Sequence, residues 1–435
     1  MIIEELNIYI KVKIKNHKLL ISAIYLNNKI ALLLNFKKSN LINSLLDFPF
    51  SFGQKSSLLL IFFFQGIVFS FLLLKNGLAF NNKSSKWLSL LLLLCAMYIA
   101  PYMLGYANWY SEKTTREILF FVPFMQVLLI GPIIYFYTQS LLNISFKLTK
   151  KDWWHFIPAI LYLIYSLIVF ISDKIILDEF YFYADGRDKD LANWYQVVGL
   201  ISMSVYLLLS LRFYAIYKTL IFEAVSYAET ILFKWIRNFM IAFLGILILR
   251  VLFFILNPDW GEFGSQFWHY ISFSFVFYYI SINGYSNAIK SSVLNKINSK
   301  EVSVFRIEED TKSASQNTSE FKEIEAWKPK LVALILEDKI YENPTLTLSD
   351  VAAKLNTNSK TVTSIVNIGF QMNFNDFINH YRVEAVIEKL KNGEQHTKTL
   401  LGIALECGFN SKATFNRAFK KNTKLSPKDY LVKLS

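Results

Sequence analysis

Long apolar runs with few charged side chains dominate the chain as far as residue 285. Apolar runs of about 20 residues are long enough to cross a hydrocarbon layer about 30 Å thick as helices. Helix is the expected state because backbone polar groups in lipid have to bond to one another. The pattern therefore predicts a transmembrane domain at residues 57–285 with seven spans, which are Ser57–Leu74, Trp87–Ala107, Ile118–Leu142, Phe156–Ile171, Trp194–Tyr214, Ile236–Leu256 and Phe267–Ile282.

Two of these spans contain residues that disturb a plain apolar helix. The third contains Pro123 and Pro132, and each proline removes a backbone hydrogen bond, so we expect a kinked helix there. In the sixth, Arg250 is either an intramembrane polar site for a ligand or relay, or a side chain that reaches the nearby interface. We favour the second interpretation, because Arg250 lies six residues from the end of its run.

Tryptophans and loop charges support these spans and orient them. Eight of the nine tryptophans lie at or just beyond the ends of the runs, and indole rings prefer the headgroup layer. The loops after the first, third and fifth runs carry an excess of lysine and arginine, whereas the alternate loops are balanced or acidic. Because such an excess marks the cytoplasmic side, the segment after the seventh run is predicted to be cytoplasmic.

The first 56 residues do not fit this topology and form an N-terminal extension of uncertain role. They contain eight lysines, which the topology would place outside. An eighth span at Leu19–Phe36 is one explanation, although Lys29 interrupts it, and a native start near Phe48 is another. The segment lacks the clean apolar core and the cleavage site of a secretory signal.

The composition favours a membrane protein over a set of soluble domains. Hydrophobic residues make up 54% of the 435 residues and charged residues only 18%, whereas about a quarter of an average soluble chain is charged. The net charge of +13 suits a partner such as anionic lipid or nucleic acid. The two cysteines lie far apart, which argues against a disulfide framework and a cysteine-built zinc site, and we predict neither a metal nor a cofactor.

The composition changes after residue 285. Residues 286–322 are rich in small polar residues and lack an apolar period, which predicts a linker. A helical continuation of the seventh span is an alternative for the first half of this linker. Residues 323–435 have a helical pattern throughout, so both halves of the chain are predicted to be all-α. The predicted C-terminal helices are Glu323–Lys339, Leu348–Leu355, Ser359–Gly369, Phe374–Lys391, Thr399–Cys407 and Ser411–Lys421.

Two segments of the C-terminal domain share one helix-turn-helix layout, LSDVAAKLNTNSKTVTSIV and LGIALECGFNSKATFNRAF. Asn356 in the first and Gly408 in the second stand where a tight turn needs a left-handed backbone. Small residues, Ala352 and Ala404, occupy matching positions where the two helices approach. The second helix of each segment has a narrow apolar side, formed by Val362, Ile365 and Val366 in one copy and by Phe415, Ala418 and Phe419 in the other.

The opposite faces of these second helices predict a nucleic-acid interface. The segment from Asn410 through Lys428 contains six basic residues and no acid, as expected of a helix that enters the major groove. Lysines there would neutralise phosphates, whereas Asn416 and Arg417 have the groups that read adenine and guanine edges. A solvated or lipid-bound basic helix is the competing interpretation, and the matched second copy argues against it. The candidate DNA-binding residues are Lys360, Thr361, Thr363, Ser364, Asn367, Lys412, Ala413, Asn416, Arg417, Lys420 and Lys421.

Three segments, NFNDFINHYRVEAV, IALECGFNSKATFNRAFKK and SPKDY, resemble the DNA-binding domain of AraC/XylS-type transcription regulators. The resemblance covers Ala326–Ser435, and Lys424 stands where the family usually has glycine. It implies that Phe374–Lys391 joins two helix-turn-helix units, which present Ser359–Gly369 and Ser411–Lys421 to successive major grooves about 34 Å apart. It also implies double-stranded DNA and RNA polymerase as partners.

The architecture as a whole resembles membrane-anchored regulators of this family in some bacteria. The leading hypothesis is therefore a sequence-specific transcription regulator, not an enzyme, in the bacterial inner membrane, with its DNA-binding domain in the cytoplasm. The transmembrane half would contact the lipid bilayer as an anchor and a sensor, and a homodimer is compatible with this arrangement. The sequence does not identify the signal ligand.

Two alternatives remain open from the sequence. A membrane enzyme or transporter with a regulatory DNA- or lipid-binding tail would need clustered catalytic side chains or repeated broken helices in its spans, and we see neither pattern. A membrane-tethered adaptor would use the basic tail to bind lipid and would show no preference among DNA sequences.

Overall fold

A computed structural model of the chain describes residues 51–143, 145–184, 186–256, 265–297 and 318–434. These residues form helices joined by turns, and within them the one β pairing is an isolated antiparallel bridge between Val225 and Thr347. The predicted all-α class is therefore confirmed for the described residues. The alternatives at Leu19–Phe36 and Phe48, and residues 298–317 of the predicted linker, lie outside them.

Sixteen helices are numbered here along the described residues. The N-terminal half contains α1 (Gln54–Ala79), α2 (Lys83–Tyr106), α3 (Lys113–Leu119), α4 (Val127–Leu142), α5 (Ile157–Ile171), α6 (Asn193–Ala224), α7 (Ala228–Ile231), α8 (Lys234–Leu256) and α9 (Phe267–Ile297). The C-terminal half contains α10 (Thr318–Glu337), α11 (Leu348–Lys354), α12 (Ser359–Ser364), α13 (Phe374–Lys391), α14 (Leu400–Glu406), α15 (Lys412–Thr423) and α16 (Pro427–Leu434).

Five helical segments of the described residues are long and apolar enough to cross a membrane. They coincide with the first, second, fourth, fifth and sixth predicted spans. The helix at the third, α4, has only 16 residues, and α9 is long but carries many tyrosines, serines and asparagines, which lower its hydropathy. The prediction of seven spans is thus supported at five positions. The five segments are Gln54–Ala79, Lys83–Tyr106, Lys150–Ile176, Asn193–Ala224 and Lys234–Leu252.

The third predicted span is not one kinked helix, and this prediction is corrected. The α3 helix ends at Leu119, Pro123 lies in the non-helical segment that follows, and α4 begins at Val127. The broken segment keeps its backbone bonded, because the Met125 amide donates to Asp190 Oδ2 (2.9 Å) and its carbonyl accepts from the Tyr195 hydroxyl (2.7 Å). Such side-chain partners replace the helical hydrogen bonds that the break removes.

The described residues fall into two compact units. Residues 51–57 and Met103–Leu119 form the smaller unit, in which the Asn108 side-chain amide donates to Ser51 Oγ (3.0 Å). The other described residues, including the whole C-terminal half, belong to the larger unit.

Two apolar cores organise the C-terminal half, and α13 contributes to both. The first core surrounds α10, α11 and α12, and it includes Phe377 and Ile378 of α13. The second core surrounds α14 and α15, and it includes Val383 and Val386 of the same helix. One continuous helix therefore fixes the position of one core against the other.

The helix boundaries of the C-terminal half largely follow the predictions. The bounds of α13 coincide with the predicted range, and α9 continues to Ile297, which was the alternative for the first half of the linker. The α10 helix begins at Thr318, earlier than predicted, and α16 begins at Pro427, where no helix was predicted.

Candidate nucleic-acid interface

The first helix pair, α11 and α12, is fixed by caps on both of its helices. Thr347 and Asp350 form a capping box at the start of α11, where the Asp350 amide donates to Thr347 Oγ1 (3.2 Å). Asn356 has the predicted left-handed backbone in the turn, with φ at 54°. The Asn358 side chain then accepts from the Thr361 amide (2.8 Å) and caps α12. These bonds satisfy helix-terminal amides and set the direction of α12.

The second helix pair, α14 and α15, repeats this construction. The Thr399 side chain caps α14, and Gly408 has the predicted left-handed backbone in the turn, with φ at 91°. A side chain at Gly408 would also collide with the Tyr341 carbonyl oxygen. The Ser411 hydroxyl accepts from the Thr414 amide (3.2 Å) and caps α15. The two pairs therefore orient their second helices by the same local means.

A surface ion cluster fastens α14 to the end of α13. Glu406 accepts from the ammonium groups of Lys389 (2.7 Å) and Lys398 (2.8 Å). The hydrogen bonds from these two lysines lower the pKa of Glu406 to about 2, so the carboxylate stays charged at neutral pH. This cluster supports the position of the second helix pair from the solvent side.

The apolar sides of both second helices are buried, as predicted, in the two cores. On the opposite face of α12, Lys360 is exposed, whereas the hydroxyls of Thr361 and Thr363 bond locally to Asn358 Oδ1 (3.1 Å) and the Ser359 carbonyl (2.9 Å). Ser364 is partly exposed at the last position of α12.

The first candidate recognition helix keeps its predicted helical range, Ser359–Gly369, but it is not a single α-helix. The α12 helix ends at Ser364, and Ile365–Gly369 continue as a wider π-helical turn. Each residue of a π turn advances by a smaller angle than in an α-helix. Asn367 therefore leaves the helical register that grouped it with Lys360 and Ser364.

On α15, all six predicted residues are exposed, and they are Lys412, Ala413, Asn416, Arg417, Lys420 and Lys421. Two of them have acidic partners. The Lys421 ammonium donates to Asp376 Oδ2 (2.6 Å) on α13, and the Arg417 guanidinium forms an ion pair with Glu229, which lies between α6 and α8. The α15 face thus presents four cations and one amide from a helix whose other side is anchored in the second core.

Arg382, in the middle of α13, is a central residue that the sequence interpretation missed. It is almost fully buried, and its Nε and Nη2 donate to the carbonyls of Tyr341 (2.8 Å) and Asn343 (2.7 Å). Burial lowers the pKa of this guanidinium. A signal was present, because Arg382 stands four residues from both Ile378 and Val386 on the apolar stripe of its helix.

Arg250 has polar partners on three neighbouring helices. Its Nη1 donates to the Tyr98 hydroxyl (2.8 Å) and lies 3.5 Å from His269 Nε2. Its Nη2 donates to Gln196 Oε1 (3.4 Å). Arg250 thus joins α8 to α2, α6 and α9 through polar contacts, and two of its partners, Gln196 and His269, lie within the first turn of their helices.

Comparison with known protein families identifies one domain in the C-terminal half. A sequence-family model described as a helix-turn-helix domain matches residues 351–433, from within α11 to within α16. This match supports an AraC-type, DNA-binding transcription regulator, in agreement with the resemblance of the sequence motifs. No curated protein and no solved structure matches the chain.

Proposed function

We propose that the C-terminal half binds double-stranded DNA in successive major grooves through α12 and α15. The observation that carries this proposal is a pair of capped helices joined by a shared helix, each with one side in a core and a polar face that is exposed on α15 and partly exposed on α12. Lys412 and Lys420 would neutralise phosphates, and Asn416 and Arg417 would read base edges. Because α15 carries most of the charge, it would supply most of the affinity.

We also propose that the N-terminal half is embedded in the bacterial inner membrane, with the DNA-binding half in the cytoplasm. Large apolar side chains on its helices point outwards, and Phe64, Phe71 and Leu161 are 66%, 66% and 60% exposed. Extended exposed apolar surface marks a membrane or protein contact, since water penalises it by about 25 cal/mol per Å². The excess of lysine and arginine in alternate loops supports the orientation.

In this proposal the protein is a transcription regulator without catalytic activity. It would work with RNA polymerase, and a homodimer is compatible with this arrangement, while the apolar half anchors it and senses a signal. The partly buried polar contacts of Arg250 support the sensing role, because polar groups inside an apolar bundle are costly unless they serve packing or function.

Genome-wide DNA enrichment with the intact chain, alongside membrane fractionation, tests the proposal. We expect the chain in the membrane fraction and a set of enriched sites with two half-sites about one helical turn, or 34 Å, apart. Uniform enrichment together with binding to anionic liposomes would support the adaptor instead. Transport or hydrolysis by the intact chain in vesicles would support the enzyme or transporter.

Substitution of Arg417 tests base reading directly. Arg417→Ala should weaken binding to an enriched site, relative to random DNA, by about 1–3 kcal/mol. The ratio of the two affinities is the right measure, because any change in the availability of α15 affects both DNAs equally. Lys433→Ala, which removes an exposed cation of α16, is the matched control and should leave the ratio unchanged. An equal loss on both DNAs would show that Arg417 contacts phosphate only.

A further inference from the structure

The segment that connects two apolar helices is bound to the C-terminal half. Residues 225–233, here called the docking loop, connect α6 to α8 and include the short helix α7. Val225 forms the isolated antiparallel bridge with Thr347, and the Ser226 amide donates to the Leu346 carbonyl (3.0 Å). The docking loop therefore pairs its backbone with the residues that lead into α11.

Ser226 is fully buried, and the C-terminal half satisfies its polar groups. Its carbonyl accepts from Asn375 Nδ2 (2.7 Å) and Arg382 Nη1 (3.4 Å), and its hydroxyl accepts from Arg382 Nη2 (3.0 Å). Val225 and Ala228, on either side, are also fully buried. An unpaired buried polar group costs about 1–3 kcal/mol. Because the polar groups of Ser226 all have partners in the C-terminal half, this contact is specific and not a loose one.

Side chains of α13 form the site that binds Ser226. Asn375, Asn379 and Arg382 lie along one side of this helix and are all buried. Asn379 Nδ2 donates to Asn375 Oδ1 (3.1 Å), and Arg382 Nη1 donates to Asn379 Oδ1 (3.1 Å). This chain of bonds holds the free donors of Asn375 and Arg382 towards Ser226, at the level where the two cores meet.

The docking loop also contacts the second helix pair, at the predicted DNA-binding face. Glu229 forms its ion pair with Arg417, and it accepts from the Lys234 ammonium as well (3.0 Å). The Thr230 hydroxyl donates to Asn410 Oδ1 (3.0 Å), one residue before the cap of α15. A carboxylate offers a guanidinium the same kind of acceptors as a guanine edge or a phosphate. The Arg417 donors that face Glu229 are therefore not available to DNA while this ion pair is formed.

We propose that the docking loop is an intramolecular competitor of DNA, which holds the regulator in a state of low affinity until the loop is released. This inference rests on the proposed function of α15. Because α6 and α8 continue directly into the docking loop, a signal that shifts these two apolar helices also shifts Val225, Ser226 and Glu229. Such a signal has to favour the released state by its own binding energy.

Locking the docking loop with a disulfide tests the proposal in the full chain. Thr230→Cys and Asn410→Cys, introduced together into the chain in lipid nanodiscs, replace two side chains that are hydrogen-bonded to each other. We expect copper phenanthroline to cross-link this variant rapidly, with at least about tenfold weaker binding to an enriched operator in the locked form. Dithiothreitol should restore the affinity. The two single substitutions are the controls, because the native Cys95 and Cys407 are buried.

The results separate the inference from the proposed function. A double variant that does not cross-link would overturn docking, and a locked form that binds operator as tightly as the reduced form would overturn competition. A wild-type chain without any preferred DNA sequence would overturn the proposed function, and competition with it, while the cross-link yield would still report docking.

A charge-neutral variant of the docking loop provides a second test without new cysteines. Glu229→Gln removes the charge that holds Arg417 and should strengthen operator binding by about two- to tenfold, as the loss of a partly buried ion pair predicts. Glu223→Gln makes the same charge change near the end of α6, outside the docking loop, and should leave the affinity unchanged. Equal affinities of wild type, Glu229→Gln and Glu223→Gln would overturn the competition.

Discussion

The two helix pairs of the C-terminal half have the same construction but different surfaces. Each has a capped second helix, a left-handed turn residue and an apolar triplet in a core. The α12 helix has six residues and one lysine, whereas α15 has 12 residues and four cations. Shared local sequence therefore sets the shared geometry, whereas charge and length differ between the two pairs.

The docking loop also contacts the two helix pairs in different ways. It meets the first pair through the backbone ahead of α11, at Leu346 and Thr347, and so leaves the exposed Lys360 of α12 uncovered. It meets the second pair through side chains, at Asn410 and Arg417. The pair with the greater charge is thus the pair whose side chains the docking loop contacts.

The largest predicted difference between the pairs lies in their cores. Phe415 and Val362 occupy matching positions and are both buried. Phe415→Ala should cost about 3–5 kcal/mol of stability, and Val362→Ala about 2 kcal/mol, because the larger side chain leaves the larger cavity. Hydrogen exchange of α15 and α12 in the full chain, in detergent micelles, measures both losses. Equal losses would mean that the two cores contribute alike.

Alanine substitution in the two turns should lower the stability by different amounts. Gly408→Ala should cost about 2–4 kcal/mol, because a Cβ there meets both a left-handed backbone and the Tyr341 carbonyl. Asn356→Ala introduces only the backbone strain and should cost about 1 kcal/mol. Thermal unfolding of the full chain, followed by the exchange of α14 and α11 amides, gives the comparison. A similar cost at both turns would show that the Tyr341 carbonyl moves away easily.

The smallest effect concerns the C-terminus of α15, where Lys424 stands in place of the glycine that is usual in the family this sequence resembles. Lys424 has a left-handed backbone, with φ at 65°. Lys424→Gly should therefore stabilise the second pair by about 0.5–1 kcal/mol, since glycine adopts this conformation without strain. Lys428→Gly, within α16, removes the same charge from a helical position and should destabilise by about 1 kcal/mol. Loss of stability in both variants would contradict the strain at Lys424.

Features that depend on neighbouring residues were predictable from the sequence. The bounds of α13, the left-handed turns at Asn356 and Gly408, and the buried sides of α12 and α15 all follow from helical periodicity and turn chemistry. The surface placement of Asn416 and Arg417 follows in the same way.

Features that depend on distant residues were not predictable in this way. The break before α4 is supported by Asp190, which lies 65 residues from Met125. Where the docking loop binds α13, Ser226 is hydrogen-bonded to Arg382, which lies 156 residues away in the sequence. Hydrophobic periodicity along the sequence does not indicate such long-range pairs. The nearest local sign was a charged residue, Arg382, at a position of α13 where periodicity expects an apolar one.

The continuity of α13 through both cores has a consequence for target choice. A regulator whose two units were joined by a flexible segment would accept half-sites at several separations. Here one added base pair would turn the distal half-site by about 35° around the duplex, away from a unit that cannot follow. Binding would therefore depend on the spacing and the helical phase of the two half-sites as well as on their base sequence. Half-sites of the correct sequence at the wrong spacing would not be bound.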